Sequence, residues 1–567
     1  MVEDDDIDIL VFVLLKGKQR RKNLTDMATL LTRSYYHSPC RATPFLGRSL
    51  GQQFYVTADK YPDKEMYVFY ADKERKTFQQ VRVESQQLAA SFLSLGLNTG
   101  DRLGVWGGNH YEWLVTYVAC MQLGIILIHI RLDFTGTMQT KLLQKTGCKA
   151  LVLTRSPDNV YDSVCEIIPE LRSCKADKLK CESLPELLFV AIGGEQHRGK
   201  RGVYNLDDLI HQGRSSAYKD KVTKICDRID FDAPAAINFT SGSTGTPKAV
   251  THSSHSILDF VHENGNIYRG NVQGYVQTWE TKYALIMHMS GISGQVGAVI
   301  PIANGNTVVV VGPNYDKDLM AMAFHEEKVT NSVMLIHHMY DLLHLPYLDS
   351  LDFSHNQLSK YPRTQIVSGG TIIPPSLREK SKKICNMSLM VYGLTEMIGV
   401  LLHHPMDDPK RIQSGDYLCI GGCEAKIVNE KGEIVPVNTA GEIHFRGYGI
   451  FLYYWGDEEK TKQAKDDNGW LHTGDIAIMD EEGYIRIVGR KTDSMIIEGI
   501  NVFPFDLEDV LLEHPSIAGV MVSSFLTPRY VLFMETFPTT DTGKFHRKKM
   551  AEIALNKLKL TSSSLQR

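Results

Sequence analysis

The decisive stretch of this chain reads Thr240-Ser-Gly-Ser-Thr-Gly-Thr-Pro-Lys248. It places five hydroxyl side chains, two glycines and one lysine within nine residues. Glycine lets the backbone turn several N–H groups toward one anion, while the hydroxyls and the lysine add donors and charge. The stretch is typical of a loop that holds a polyphosphate. It is not a Walker A loop, because Pro247 rather than glycine precedes Lys248. On composition alone, a solvated polar turn stays open as the alternative.

The composition is that of an ordinary globular protein with more than one domain. A chain of 567 residues exceeds what one hydrophobic core organises, so two or three domains are expected. The 43% hydrophobic and 23% charged residues and the net charge of −4 give no sign of a nucleic-acid-binding surface. The ten cysteines lack disulfide or zinc spacing and are interpreted as the reduced thiols of an intracellular protein. No apolar run of the sequence is long enough to span a bilayer.

Residues 1–40 are predicted to be an N-terminal extension or a targeting segment. Met27 opens a stretch that contains no acidic residue before Asp59. The stretch carries three arginines, Arg33, Arg41 and Arg48. Such a composition is typical of a mitochondrial transit peptide and favours the matrix. A loop that simply lacks carboxylates is the alternative, and the cytoplasm is then the expected compartment.

Alternating strand and helix patterns predict an α/β fold. A strand at Arg102–Trp106, a helix at Tyr111–Leu123 and strands at Ile125–Ile130 and Ala150–Leu153 form a βαβ pattern with short connections. This pattern favours a parallel sheet covered by helices.

The pattern changes toward the C-terminus. From Tyr417 to Val488, short strands separated by Gly, Asn and Asp turns predict a small β-barrel. We expect a large domain over residues 41–490, with two α/β sheet subdomains plus this barrel. A small α+β domain is expected over residues 491–567.

Four further motifs follow the phosphate loop. They are Tyr392-Gly-Leu-Thr-Glu396, Trp470-Leu-His-Thr-Gly-Asp475, Gly489-Arg490 and Thr542-Gly-Lys544. Each is weak alone, but in this order they resemble the adenylate-forming superfamily of acyl-CoA synthetases, luciferase-like ligases and nonribosomal adenylation domains. The resemblance runs from about Ser34 to about Met550 and is greatest toward mitochondrial medium-chain acyl-CoA ligases.

The resemblance implies a role for each matching position. The implied ATP- and AMP-binding residues are Thr240, Ser241, Gly242, Ser243, Thr244, Gly245, Thr246, Pro247, Lys248, Gly369, Gly370, Thr371, Tyr392, Asp475 and Arg490. The implied catalytic residues are Lys544, Thr395 and Glu396, of which Glu396 would also coordinate Mg²⁺. The implied acyl-pocket residues are His288, Gly291 and Gly393. Thr492 would be the hinge between the domains, and Gly499 would border the CoA channel.

The resemblance also implies the reaction. A carboxylate, in this case a medium-chain fatty acid, would attack the α-phosphorus of ATP and give acyl-AMP and pyrophosphate. The thiol of CoA would then attack the acyl-AMP and release AMP. ATP and CoA are thus expected as co-substrates and Mg²⁺ as the cofactor, with small molecules rather than nucleic acid as partners.

Three features depart from the family pattern. Thr492 stands where the family favours Asp or Lys, and Glu498 stands where a glycine is usual. Only about 40 positions separate Pro504 from Lys544, fewer than in the family, so the small domain is predicted to be internally truncated between about residues 525 and 526. These departures keep two alternatives open: an ATP-binding homologue with impaired catalysis, and an adenylating ligase with another acceptor.

Overall fold

The fold is described here from a computed structural model. It describes residues 30–38, 44–132, 134, 136–215, 217–240, 247–269, 281–351, 353, 364–369, 373, 375–403, 408–491, 495–497 and 500–502, with a few positions near the C-terminus. The predicted helix at Pro504–Glu513, the strand at Val520–Val522 and the truncation point lie outside the described residues.

The described strands form two large sheets and one hairpin. In chain order they are β1 (Tyr35–His37), β2 (Glu65–Phe69), β3 (Glu74–Thr77), β4 (Arg102–Trp106), β5 (Ile126–Ile130), β6 (Ala150–Leu153), β7 (Phe189–Ile192), β8 (Tyr204–Asn205), β9 (Pro234–Phe239), β10 (Ala249–Ser253), β11 (Lys282–Leu285), β12 (Thr307–Val310), β13 (Asn331–Val333), β14 (Thr364–Gly369), β15 (Cys385–Leu394), β16 (Met397–Leu402), β17 (Asp416–Cys419), β18 (Cys423–Val428), β19 (Gly441–Gly447), β20 (Tyr453–Tyr454), β21 (Leu471–Met479), β22 (Ile485–Arg490), β23 (Met495–Ile497) and β24 (Ile500–Val502).

Helices cover the sheets. In chain order they are α1 (Leu50–Lys60), α2 (Phe78–Ser94), α3 (Tyr111–Leu123), α4 (Gly136–Thr146), α5 (Val160–Ile167), α6 (Leu206–Gly213), α7 (Lys219–Cys226), α8 (Ser254–Arg269), α9 (Ile292–Asn304), α10 (Lys317–Glu326), α11 (Ile336–Leu343), α12 (Pro375–Ser381), α13 (Pro409–Ser414) and α14 (Glu458–Ala464).

Local sequence signals explain where the first helices begin and end. Ser49 and Thr77 cap α1 and α2, each in a capping box completed by a glutamine three residues later. Helix α3 ends at Gly124, which adopts the left-handed conformation at φ 64°. Every residue of α3 is buried, as expected for a helix whose residues are mostly apolar.

The smaller sheet has eight strands in the order β20-β10-β9-β5-β4-β6-β7-β8. Its β9, β5, β4, β6, β7 and β8 are parallel, whereas β10 runs antiparallel to both β9 and β20. The predicted βαβ pattern from Arg102 to Leu153 is confirmed, because β4, α3, β5 and β6 occupy those positions.

The larger sheet has fourteen strands and combines a parallel half with an antiparallel half. Its order is β1-β18-β19-β21-β22-β17-β16-β15-β14-β13-β11-β12-β2-β3. The strands predicted as a small barrel are the antiparallel half. Among the described residues they pair as an open run that continues the larger sheet, because β17 bonds to β22 on one side and to β16 on the other. A closed barrel is therefore not the pairing observed, although the α/β class is confirmed.

Strand β1 lies within residues 1–40, the predicted N-terminal segment, and belongs to the larger sheet. Tyr35–His37 pair antiparallel with Glu424–Lys426 at the edge of the larger sheet.

Among the described helices, none is long and apolar enough to cross a membrane.

Candidate active site

The phosphate loop joins β9 to β10, and its base is closed by hydrogen bonds. Phe239 pairs with Ala249, so the two strands approach each other immediately before and after the loop. The Thr240 N–H donates to the Lys248 carbonyl at 3.1 Å. The Lys248 N–H donates to the Thr240 hydroxyl at 3.2 Å. This base fixes where Lys248 leaves the loop.

Two of the predicted catalytic residues, Thr395 and Glu396, occupy a tight turn of the larger sheet. Thr395 and Glu396 connect β15 to β16, with Leu394 paired to Met397 across the turn. The Glu396 carbonyl accepts a hydrogen bond from the Phe451 N–H at 2.9 Å. A residue held at a hairpin turn presents its side chain at the end of the strands, where open α/β sheets bind ligands.

Tyr454 links the phosphate loop to this turn. Its hydroxyl donates to Glu396 Oε1 at 2.7 Å and accepts from Lys248 Nζ at 3.2 Å. The Lys248 ammonium also lies 4.8 Å from the centre of the Tyr454 ring. Burial, together with the nearby Glu396 carboxylate, raises the pKa of Tyr454 well above its usual value, so the hydroxyl stays protonated. Lysine, tyrosine and glutamate thus form one continuous chain of contacts.

His252 makes a second link to the turn. Its Nε2 lies 2.7 Å from the Thr395 carbonyl oxygen. The ring is fully buried, and burial lowers its pKa to about 4, so it is neutral at physiological pH. A neutral imidazole has one donor and one acceptor, and a carbonyl only accepts. The proton therefore resides on Nε2.

The predicted ribose-binding residues converge on one carboxylate. Asp475 on β21 is paired in register with Arg490 on β22, and Arg490 Nε lies 2.7 Å from Asp475 Oδ1. The Tyr392 hydroxyl donates to the other oxygen of Asp475. Burial, and then the proximity of Asp475, raises the pKa of Tyr392 well above its usual value. The Asp475 side chain is 5% exposed and that of Arg490 is 48% exposed. The carboxylate of this ion pair is therefore buried, whereas the arginine side chain is accessible to solvent.

The hydrogen bond between Tyr392 and Asp475 reveals the shape of the larger sheet. Strands β15 and β21 are separated by β16, β17 and β22 in the pairing order. The Tyr392 ring also lies 6.1 Å from that of Phe445 on β19. The antiparallel half therefore curls back toward β15, and this curl creates the site at which Tyr392 and Asp475 meet.

The predicted acyl-pocket segment precedes α9. His288 Nδ1 accepts hydrogen bonds from the Ser290 N–H at 3.2 Å and the Ser290 hydroxyl at 2.7 Å. Gly291 is the N-cap of α9, and its N–H donates to the His288 carbonyl at 3.1 Å. At Gly294, a Cβ atom would lie 2.0 Å from that same carbonyl oxygen, so the glycine permits this close packing.

Two further predicted glycines lie on β14 and β15, near the turn formed by Thr395 and Glu396. Gly369 ends β14 and pairs with Val391 of β15. Gly393 lies between Tyr392 and the turn, where a Cβ would come within 2.7 Å of the Gly399 nitrogen. The two hairpin strands could not approach this closely with a side chain at position 393.

The donor set fits Mg²⁺ bound together with a nucleotide. Among the residues that the structure describes, no three His, Cys, Asp or Glu side chains are grouped to hold a metal ion by themselves. Glu396 offers one carboxylate at the turn, beside Thr395. The Tyr454 hydroxyl connects this carboxylate to Lys248. Mg²⁺ commonly takes one or two protein carboxylates and completes its shell with phosphate oxygens and water.

Several predicted site residues lie outside the described residues. They are Ser241, Gly242, Ser243, Thr244, Gly245, Thr246, Gly370, Thr371, Thr492, Gly499 and Lys544. Their roles stay predictions. The described site brings together Thr240, Lys248, Thr395, Glu396, Tyr392, Asp475 and Arg490, and places Pro247 at the base of the loop.

Sequence reasoning missed Tyr454 and His252. The Tyr454 contact depends on β20 pairing with β10 across a long separation in sequence, for which no local pattern exists. His252 carried a weak signal. Residues 248, 250 and 252 alternate along an extended segment and share one face, so a histidine on the face of Lys248 could have been expected near the site.

Comparison with known proteins agrees with this geometry. Residues 54–455 match the AMP-binding enzyme family. The mitochondrial medium-chain acyl-CoA ligase ACSF2 of Danio rerio is 31% identical over an alignment that covers 92% of this chain and 91% of that protein. The protein of the same name from Mus musculus is 30% identical, and the alignment covers 90% of this chain and 88% of the mouse protein.

A solved structure has the same fold. The crystal structure of the anthranilate CoA ligase AuaEII, in complex with anthranoyl-AMP, superposes with a TM-score of 0.74 at 20% identity and covers 91% of this chain and 99% of that chain. The predicted superfamily resemblance is confirmed. Because the family match extends over most of the sequence, this chain belongs to the AMP-binding enzyme family.

Proposed function

We propose that this protein is an ATP-dependent acyl-CoA ligase that forms acyl-AMP and pyrophosphate and then acyl-CoA and AMP. The observation that carries the proposal is the convergence of three parts of the site. Tyr392, which contacts Asp475, lies three residues before the Thr395–Glu396 turn. Tyr454 then connects Glu396 of this turn to Lys248.

Each part suits one portion of ATP. Asp475 offers acceptor oxygens to the ribose hydroxyls, and Arg490 and Tyr392 hold that carboxylate in place. Thr395 offers a hydroxyl to the α-phosphate. Lys248, at the end of the hydroxyl-rich loop, brings positive charge to the phosphates that leave. The loop thus binds the pyrophosphate rather than a γ-phosphoryl group in transfer.

The chemistry explains the charges. Both reactants are anions, so their repulsion contributes much of the barrier to attack on the α-phosphorus. When bound, Mg²⁺ neutralises charge on the phosphate oxygens, and Glu396 is the residue that would hold it. Tyr454 keeps the Glu396 carboxylate and the Lys248 ammonium oriented before the nucleotide arrives. Lys544 is proposed to enter the site for the first half-reaction, with Thr492 as the hinge.

Medium-chain fatty acids are the proposed acyl substrates, and the mitochondrial matrix is the proposed compartment. Both proposals are supported by the names of the ACSF2 relatives. The arginine-bearing, acid-free stretch after Met27 supports the compartment as well. A fluorescent protein fused to residues 1–40 alone should enter mitochondria, and a diffuse cytoplasmic distribution of that fusion would refute this signal.

The test of the function is a product assay on the full chain. Protein, ATP, Mg²⁺ and CoA are incubated with butyrate, octanoate or palmitate, and AMP, pyrophosphate and acyl-CoA are measured. We expect all three products, with the highest kcat/KM for octanoate. A maximum at butyrate or palmitate would overturn the medium-chain assignment and leave the ligase assignment intact.

Two other outcomes would identify the alternatives. Binding of ATP without release of AMP for any carboxylate would indicate an ATP-binding homologue without catalysis, as the departures at Thr492 and in the small domain would allow. Formation of acyl-AMP without transfer to CoA would indicate a ligase with another acceptor.

A further inference from the structure

The two sheets meet at the phosphate end of the site. Lys248 directly precedes β10 of the smaller sheet, whereas Thr395 and Glu396 form the turn between β15 and β16 of the larger sheet. The distance between these groups therefore depends on contacts from one sheet to the other. A shift between the sheets would move the ammonium relative to the carboxylate even if each sheet kept its own structure.

His252 provides one of these contacts. It is fully buried on β10, and its Nε2–H donates to the Thr395 carbonyl at 2.7 Å. The carbonyl can only accept, so Nε2 carries the proton, and Nδ1 lies 3.4 Å from the Ser256 hydroxyl as an acceptor. The ring therefore fixes the backbone of the turn at the residue that precedes Glu396.

Backbone hydrogen bonds beside His252 hold the neighbouring carbonyl of the same turn. The Leu452 N–H donates to the Thr251 carbonyl at 2.8 Å, and the Phe451 N–H donates to the Glu396 carbonyl at 2.9 Å. The segment before β20 thus holds Glu396, while the Thr395 carbonyl is held by the imidazole. Two consecutive carbonyls of the turn are tied to the smaller sheet and its β20 segment.

We infer that His252 is a positioning residue for adenylate formation. It fixes the Thr395–Glu396 turn relative to Lys248, and so aligns the α-phosphate contacts with the phosphate loop. The inference rests on the proposed function. Because the His252 ring is fully buried, we expect its loss to reduce the rate of the chemical step more than the binding of ATP.

The identity of the side chain supplies the test. Leucine at this position would fill much of the same volume but leave the Thr395 carbonyl without a donor. Glutamine retains an N–H that can donate. The matched control is His197, a histidine that is 4% exposed and lies beyond β7 at the far end of the smaller sheet.

The experiment compares His252→Leu, His252→Gln and His197→Leu with the unmodified full chain. Carboxylate-dependent exchange of pyrophosphate into ATP gives kcat and the KM for ATP. Amide hydrogen exchange of residues 391–402, measured without ligands, reports how firmly the turn is held. For His252→Leu we expect kcat to fall about 10-fold, the KM for ATP to stay within about twofold, and exchange in residues 391–402 to accelerate. His252→Gln should recover most of both values, and His197→Leu should change neither.

Several results would overturn the inference. They are an unchanged kcat in His252→Leu, a loss of kcat in His252→Gln equal to that in His252→Leu, or faster exchange spread evenly over the protein. If His252→Leu does not fold, His252→Gln alone decides. Preserved kcat and preserved protection of residues 391–402 from hydrogen exchange would support the inference. Loss of either would contradict it. Absence of pyrophosphate exchange in the unmodified protein would instead refute the proposed function, while the hydrogen-exchange comparison would still test the hold of His252 on the turn.

Discussion

The proposed ribose side and the proposed phosphate side of this site are built in different ways. On the ribose side, Tyr392, Asp475 and Arg490 all belong to the larger sheet, and an in-register strand pair sets the central contact. On the phosphate side, Lys248 and Glu396 come from different sheets and meet through Tyr454. The ribose side is thus organised by one sheet, whereas the phosphate side depends on how two sheets sit together. We therefore expect substitutions on the ribose side to affect ATP affinity and those on the phosphate side to affect the rate.

The largest effect is expected at Glu396. Glu396→Gln keeps the size of the side chain but removes the charge proposed to hold Mg²⁺. We expect kcat for pyrophosphate exchange to fall about 10²-fold, with saturation shifted to higher Mg²⁺. Glu424→Gln is the control, because Glu424 pairs with Arg446 on the antiparallel half and faces no proposed ligand. A kcat for Glu396→Gln close to that of the control would contradict the assigned role.

The next effect tests the ribose side. Asp475→Asn should raise the KM for ATP about 30-fold, which corresponds to about 2 kcal/mol for hydrogen bonds to a charged acceptor. The kcat should change far less. The control lies in the substrate: dideoxy-ATP lacks the ribose hydroxyls, so the unmodified protein should discriminate against it and Asp475→Asn should not. If the variant discriminates as strongly as the unmodified protein, Asp475 does not bind the ribose.

A smaller effect is expected at Tyr454, which defines the phosphate side. Tyr454→Phe removes only the hydroxyl between Lys248 and Glu396, and the ring can keep its packing against Phe451 at 4.7 Å. We expect kcat to fall about 10-fold with little change in the KM for ATP. Tyr453→Phe, at the exposed neighbouring position, should have no effect. A change confined to the KM for ATP would remove the distinction between the two sides.

The sequence predicts elements better than it predicts the contacts between them. The strands Arg102–Trp106 and Ala150–Leu153 and the helix Tyr111–Leu123 have the predicted bounds, because buried elements are mostly apolar and the polar turns between them mark their ends. The barrel expectation was wrong in its closure. Short strands between turns indicate an antiparallel unit, but they do not indicate that β17 also bonds to β16, which connects this unit to the parallel strands through β15.

The same limit applies to the site. The resemblance predicts Asp475, Arg490 and Tyr392 as site residues, and the structure places these three side chains in contact. That Asp475 and Arg490 face each other depends on the register of β21 and β22, and the Tyr392 contact depends on the curl of the sheet. Tyr454 reaches Glu396 through strand pairing between residues about 200 positions apart, which only the folded chain establishes.

The smallest effect concerns an ion pair beside the ribose side. Glu442 accepts a hydrogen bond from Lys491 at 3.1 Å, next to Arg490, and its pKa is lowered from 4.5 to about 2, first by His444 and then by Lys491. A carboxyl whose pKa is lower in the folded state stabilises the fold above its unfolded pKa, and this contribution disappears as the pH falls from about 4.5 toward 2.

Glu442→Gln should therefore destabilise the protein by about 1 kcal/mol at pH 7, since the pair is only partly buried. The variant should also lose less stability than the unmodified protein between neutral pH and pH 3, because it lacks the group that titrates there. The measurement is the midpoint of urea unfolding at the two pH values. Activity at pH 7 should be unchanged, because Asp475 rather than Glu442 is the proposed ribose ligand. A large increase in the KM for ATP would show that both carboxylates beside residues 490–491 belong to the ribose side.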